Sequence, residues 1–189
     1  MNTDPLVTSL PRRFLRLTII LFSSAINIVL ALLQEHHGGN PIMIDQDLLC
    51  DHNTKIKVHP CGWNNCTMHM ALEHKHVAKH LQQRHGVNTS GTSEETQKIS
   101  CLWASCSHSP MKPGNIARHI LSTHLPIKWI CLTCRKDYTR EDAFRRHTQE
   151  KQSCHGAKHV VLYGDGVREI DTEYINRGWS IEQNVMCIP

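Results

Sequence analysis

Apolar positions fall into three patterns along the chain. Residues 17–33 form a largely apolar run behind Arg12, Arg13 and Arg16, interrupted only by Thr18, Ser23, Ser24 and Asn27. Through the middle, apolar side chains come in sparse pairs: Met70 with Val77, Met111 with Ile116, and Tyr138 with Phe144. Each pair leads into a polar, helix-prone stretch. Near the end, "AKHVVLYGDGVREI" alternates around Gly-Asp-Gly and predicts a β-hairpin. Isolated hairpins are marginal in water. Two apolar side chains supply only about 1.5–3 kcal/mol each, so the middle segments need another source of stability.

Composition names that source. Aromatic residues are 5 % of 189, whereas there are nine Cys and fifteen His. Cysteine at this density means either disulfides or metal ligands, and spacing decides between them. The first repeat reads Cys61-x4-Cys66-x13-His80-x4-His85. The second reads Cys101-x4-Cys106-x12-His119-x4-His124. The third reads Cys131-x2-Cys134-x12-His147-x6-Cys154. Each cysteine pair falls on a short knuckle, and the later donors fall on a helix with their rings about one turn apart. Two thiolates and two imidazoles, or three and one, close a tetrahedron suited to Zn²⁺. Four protein donors leave no position for a reacting water, so the metal is structural. Three Zn²⁺ per chain follow, each worth about 10–16 kcal/mol of folding energy.

The three repeats resemble Cys2His2 zinc fingers, which implies small zinc-stabilised ββα units over half the chain, with flexible or weakly structured flanks. The third repeat departs from that pattern: its last donor is Cys154, after six residues, or alternatively His155, after seven. Cys154 is nearer and resembles fungal-type Cys2HisCys fingers. His69, His74, His76 and His108 fall outside this scheme as solvated or packed side chains. A register using His76 with His80 fails because Cys66-x9-His76 is too short.

Trp63 and Trp103 each stand two residues after the first cysteine of their repeat. This is similar to the tandem arrangement of Gli/Zic-type proteins, in which adjacent fingers pack through these tryptophans. Two offset-stacked indoles would add about 0.5–1.5 kcal/mol beyond their burial. The alternative is that each indole covers only its own metal site. Residues 86–100, rich in Ser, Thr, Gly and Glu, read as a flexible linker. Residues 125–130 read as a short one carrying Trp129.

Residues 61–155 hold thirteen Lys and Arg against seven Asp and Glu, a net +6, which leaves −2 for the flanks. A basic middle suits a polyanion. The resemblance implies base reading from helix positions −1, 3 and 6. The third repeat places Arg140, Ala143 and Arg146 there, with Asp142 bracing Arg140, for a G-N-G triplet in double-stranded DNA. The second offers Lys112, Asn115 and Arg118. The first offers Glu73, His76 and Lys79, a poor phosphate contact. The chain therefore reads as a nuclear, sequence-specific DNA-binding transcription regulator. The alternative is an adaptor docking other proteins through its first two repeats. No HExxH, phosphate loop or nucleophile setting points to an enzyme or a small-molecule substrate.

The expected layout is an apolar segment 1–33, linker 34–60, fingers 61–85, 101–124 and 131–155, and tail 156–189. Cys50 and Cys187 are spare thiols. Residues 17–33 are long enough for a signal or a short membrane span. In that case the cysteines would face an oxidising lumen, in conflict with thiolate–metal binding. A buried helix or a mis-assigned start are the alternatives.

Overall fold

A computed structural model describes residues 40–50, 55–89, 97–178 and 183–188. The chain divides into two compact units, Met1–Pro41 and Ile42–Pro189, and the architecture below is that of the second. The apolar run 17–33 lies outside the described residues, as does the polar stretch 90–96. Among the described residues no helix is long and apolar enough to cross a membrane.

The first surprise is residues 42–60, expected as linker. They form strand β1 (Ile42–Asp45), a 3-10 turn (Gln46–Cys50) and strand β2 (Lys55–Pro60). β2 pairs antiparallel with β3 (His69–Ala71), and the chain then enters helix α1 (His74–His85). Thus the strands of the first repeat straddle its cysteine knuckle, and the repeat begins before Cys61. α1 ends in a left-handed Gly86 whose N–H bonds Gln82 O, while Val87 N–H reaches Leu81 O. That double closure requires positive φ, which glycine adopts without a Cβ penalty.

The second repeat has less strand. Ile99, assigned to the linker by composition, makes an isolated antiparallel bridge with Met111. Its helical segment passes from a 3-10 turn (Pro113–Asn115) through α2 (Ile116–His119) into a π-helical turn (Ile120–His124). The third repeat comprises β4 (Ile127–Cys131), β5 (Asp137–Tyr138) and helix α3 (Glu141–Glu150). Residues 125–130 are therefore mostly strand.

The expected hairpin in the tail is split. β6 (His159–Tyr163) and β7 (Arg168–Asp171) flank the Gly-Asp-Gly turn, yet they pair with different partners. β6 pairs with β4 in a sheet ordered β5-β4-β6, and β7 pairs with β2 in a sheet ordered β3-β2-β7. Helix α4 (Thr172–Asn176) follows, capped by the Asp171 carboxylate accepting from Tyr174 N–H. β8 (Val185–Ile188) then runs parallel to β1. The physical reason is burial. Ile170 reaches the same buried cluster as Ile44, Leu48, Ile56, Val58, Ala71, Ile175 and Val185. A free hairpin would have left those side chains in water.

Two further cores lie in the repeats. The first and second repeats share one, containing Cys61, Trp63, Met70, Val77, Leu81, Cys101, Ile116, Ala117, Ile120, Leu125 and Ile127. The third holds Cys131, Phe144 and Cys154, with Trp129, Cys134 and Tyr138 against them. A minimal core in each repeat, with the first two packed together through their tryptophans, was expected; the first two share one continuous cluster that includes Trp63, with Trp103 against it.

Candidate metal centre

Three groups of four donors come together: Cys61, Cys66, His80 and His85; Cys101, Cys106, His119 and His124; and Cys131, Cys134, His147 and Cys154. Within each, the donor atoms all lie within 4.8 Å of one another. In a tetrahedral zinc site, S···N edges are about 3.6 Å and N···N edges about 3.3 Å, given the usual bond lengths. Cys61 Sγ is 3.6 Å from His85 Nε2, and Cys66 Sγ is 3.8 Å from His80 Nε2. In the second group Cys101–His124 is 3.6 Å, Cys106–His119 is 3.4 Å, and the two imidazole Nε2 atoms are 3.1 Å apart. Cys134–His147 in the third is 3.4 Å. These edges fit zinc. Three Cys/His groups are thus positioned to bind three zinc ions.

Backbone geometry explains how each set converges. In both of the first two repeats the helical histidines are five apart: His80 and His85 converge on regular helix α1 with ring centroids 5.2 Å apart, and His119 and His124 converge across the π-helical turn Ile120–His124 at 4.9 Å. In the third repeat α3 ends at Glu150, Lys151 turns extended, and a 3-10 turn (Gln152–Cys154) returns the chain. That turn buries Cys154 to 1 % exposure beside Cys131, whereas His155 is exposed.

Protonation follows from local surroundings. Burial pushes the Cys61 thiol up to about 12 and that of Cys101 to about 11. At the third site a backbone N–H contact from Cys134 holds Cys131 down at about 6. Burial also lowers His85, His119 and His124, the last to about 4, which keeps those rings neutral. Zinc entering the first two sites must therefore displace thiol protons, which its charge accomplishes.

Sequence reading missed Asp45. It is 6 % exposed, and its Oδ2 accepts from His80 Nδ1 at 3.2 Å. Its Oδ1 accepts from Arg84 Nε at 2.6 Å. Burial opposes this carboxylate, but hydrogen bonds from His80 and Arg84 outweigh it and hold its carboxyl below the usual range. A carboxylate behind a ligating imidazole fixes ring orientation and tautomer. Nothing in sequence spacing links Asp45 to a histidine 35 residues later.

Trp63 and Trp103 do meet, through their backbones. They form an isolated antiparallel bridge, with Asn64 N–H to Leu102 O at 3.0 Å and Ala104 N–H to Gly62 O at 3.1 Å. Their rings, however, face imidazoles. Trp103 stacks on His124 at 5.3 Å and 8°, and Trp63 tilts over His85 at 6.0 Å. The Trp103 indole lies directly on Gly62, where a Cβ would stand only 2.5 Å from Cε2. The two readings of these residues therefore combine: each indole covers its own metal site, and Trp103 also joins the two repeats.

On the third repeat, Arg140 immediately precedes α3, and Asp142 receives its Nε at 2.9 Å and a terminal amino group as well. Arg146 NH2 stands 3.8 Å from the same carboxylate. Arg140 first, and Arg118 of α2 more weakly, lower the Asp142 pKa. Ala143 and Arg146 line a shallow groove of about 380 Å³ with Tyr138, His147, Glu150 and Lys151. Asn115 is exposed in the 3-10 turn before α2. The first repeat differs. Lys79 is paired with Asp47 at 2.6 Å, and Glu73 sits 3.8 Å from both Lys75 and His76.

Over 130 residues the chain is 23 % identical to a protein of Eremothecium gossypii, the pH-response transcription factor pacC/RIM101. The similarity is to a transcription factor. It covers 68 % of this chain but only 29 % of that protein, so the chain spans less than a third of its relative's length. No protein-family model matches the chain, and no solved structure does.

Proposed function

We propose that the chain is a zinc-dependent, sequence-specific DNA-binding regulator of transcription acting in the nucleus, built on three ββα-type zinc units. Cys61, Cys66, His80 and His85 hold the first ion; Cys101, Cys106, His119 and His124 the second; Cys131, Cys134, His147 and Cys154 the third. Similarity to a transcription factor supports the class of function.

The observation that carries the reading role is the Arg140–Asp142 pair at the start of α3. An exposed ion pair of this kind adds little stability. Its value is orientation: the guanidinium is held before DNA arrives, so less side-chain entropy is lost on contact. Arg140 and Arg146 then each match a guanine edge, and Ala143 leaves the middle base nearly unread, giving G-N-G. Asn115 and Arg118 extend the same face from the second repeat. The first repeat contributes no reading, because Asp47 already neutralises Lys79. The Lys79–Asp47 pair and the joined pair of repeats favour a second role as scaffold, with protein docking on the pair as the alternative use.

Selection of random double-stranded sites by the full chain tests this. G-N-G should be enriched, and Arg146→Ala should relax the first guanine by about 1–3 kcal/mol while zinc content stays at three. Enrichment indifferent to both guanines refutes the assigned reading residues. No enrichment at low salt, where phosphate contacts are strongest, leaves the docking role.

A further inference from the structure

A further histidine, His108, borders the second metal cluster. His108 stands two residues after Cys106, and its Nδ1 is 3.8 Å from Cys106 Sγ. That equals the Cys66–His80 edge in the first cluster. Its ring centroid lies 4.7 Å from that of His119, nearer than the 4.9 Å between His119 and His124. The other repeats lack this feature: the corresponding positions are Met68, buried at 7 % exposure, and Lys136.

A second, independent observation concerns His119. In the first cluster the equivalent imidazole, His80, is locked from behind by the buried carboxylate of Asp45. His119 Nδ1 has Thr123 Oγ1 at 3.3 Å, an exposed hydroxyl contact. A ligand without a charged partner behind it is oriented less firmly and released more readily. One cluster thus combines a loosely held imidazole with a spare one beside it.

We propose that His108 is a reserve zinc ligand, which replaces His119 in the second cluster and completes a Cys101, Cys106, His108, His124 set. The inference rests on the reading that these clusters hold zinc. Both sets are Cys2His2, so the exchange conserves charge and tetrahedral preference. The second site then keeps its metal while the helix end carrying His119 shifts, whereas the first site does not.

The test uses the full chain loaded with Co²⁺, whose visible absorption reports tetrahedral coordination, together with metal stoichiometry by native mass spectrometry. His119→Ala should retain three metals with tetrahedral absorption. His108→Ala/His119→Ala should hold two, and His80→Ala, with no reserve donor, should also hold two. His108→Cys in the His119→Ala background should restore three metals and raise sulfur-to-cobalt charge transfer. Two metals in His119→Ala with or without His108, three metals in both, or no added charge transfer with the cysteine, each overturns the proposal. Wild-type stoichiometry separates the two levels: three metals there with a failed His119→Ala rejects the reserve ligand alone, and fewer than three rejects the zinc reading too.

Discussion

Gly62→Ala should uncouple the first two repeats, and the cause can be isolated. The added Cβ would stand 2.5 Å from Trp103 Cε2, 2.6 Å from Nε1 and 2.9 Å from Cδ2. All three atoms belong to a rigid ring that lies on Gly62, runs parallel to His124 at 5.3 Å, and has His59 also stacked at 6.4 Å. The ring cannot yield by rotating one bond without leaving His124. Overpacking of this kind costs about 1–3 kcal/mol. Because glycine at 62 does not occupy the left-handed region, alanine brings no backbone strain to confuse the result. Denaturant unfolding of the zinc-saturated chain should show the loss in the wild-type background. In a Trp103→Ala background the same substitution should cost within about 0.5 kcal/mol of zero, since nothing remains to be struck. A double-mutant cycle therefore reads the contact itself. Equal costs in both backgrounds would refute the reasoning and assign Trp103 to its own metal site alone.

The remaining expectations concern metal, the buried carboxylate and acid. Metal analysis of the reduced chain should find about three Zn²⁺, and chelation should abolish the helical signal, as expected where metal binding supplies folding energy of about 10–16 kcal/mol per site; one ion or none would contradict the reading. Asp45→Asn should weaken the first site about 10- to 100-fold in chelator competition, leaving the other two unchanged. Equal weakening of all three would show a general loss of fold instead. His69 is half-buried near His59 and Arg168 and accepts from Met43 N–H; burial first, then those charges, lower it to about 4. The unfolded chain therefore binds a proton that the folded chain rejects between pH 6.5 and about 4, so stability falls as pH drops through that window and levels off below it. The effect is about 2 kcal/mol at pH 5. His69→Asn, which keeps an acceptor for Met43, should lose that part of the acid slope in urea unfolding at pH 7 and 5. An unchanged slope would assign the acid sensitivity elsewhere.

Local chemistry was legible in the sequence. Donors that share a knuckle and the following helix are separated by chain lengths that nearly dictate their distance, so three zinc-sized clusters could be read from spacing. The same holds for the apolar partners Val77, Ile116 and Phe144, set three residues before the first helical histidine and all buried. Arg140 and Asp142 are two residues apart, close enough that their pairing needs only a helix start between them. Tertiary structure decided the rest. Alternation in residues 159–171 is the same for one hairpin as for two strands in different sheets, because period-2 patterning names a face and not a partner. Only the unsatisfied apolar surface on β2 selects β7, bringing Lys57 against Glu169 across 112 residues. Asp45 and Asp47 look like polar linker residues until the fold brings them to α1, where one orients a zinc-ready histidine and the other pairs with Lys79. The tryptophans show the limit most directly. Their repeat positions placed them at an inter-repeat contact, but only the fold decided that Trp103 lies on Gly62, which has no Cβ to strike the ring, and stacks on His124 while Trp63 tilts over His85.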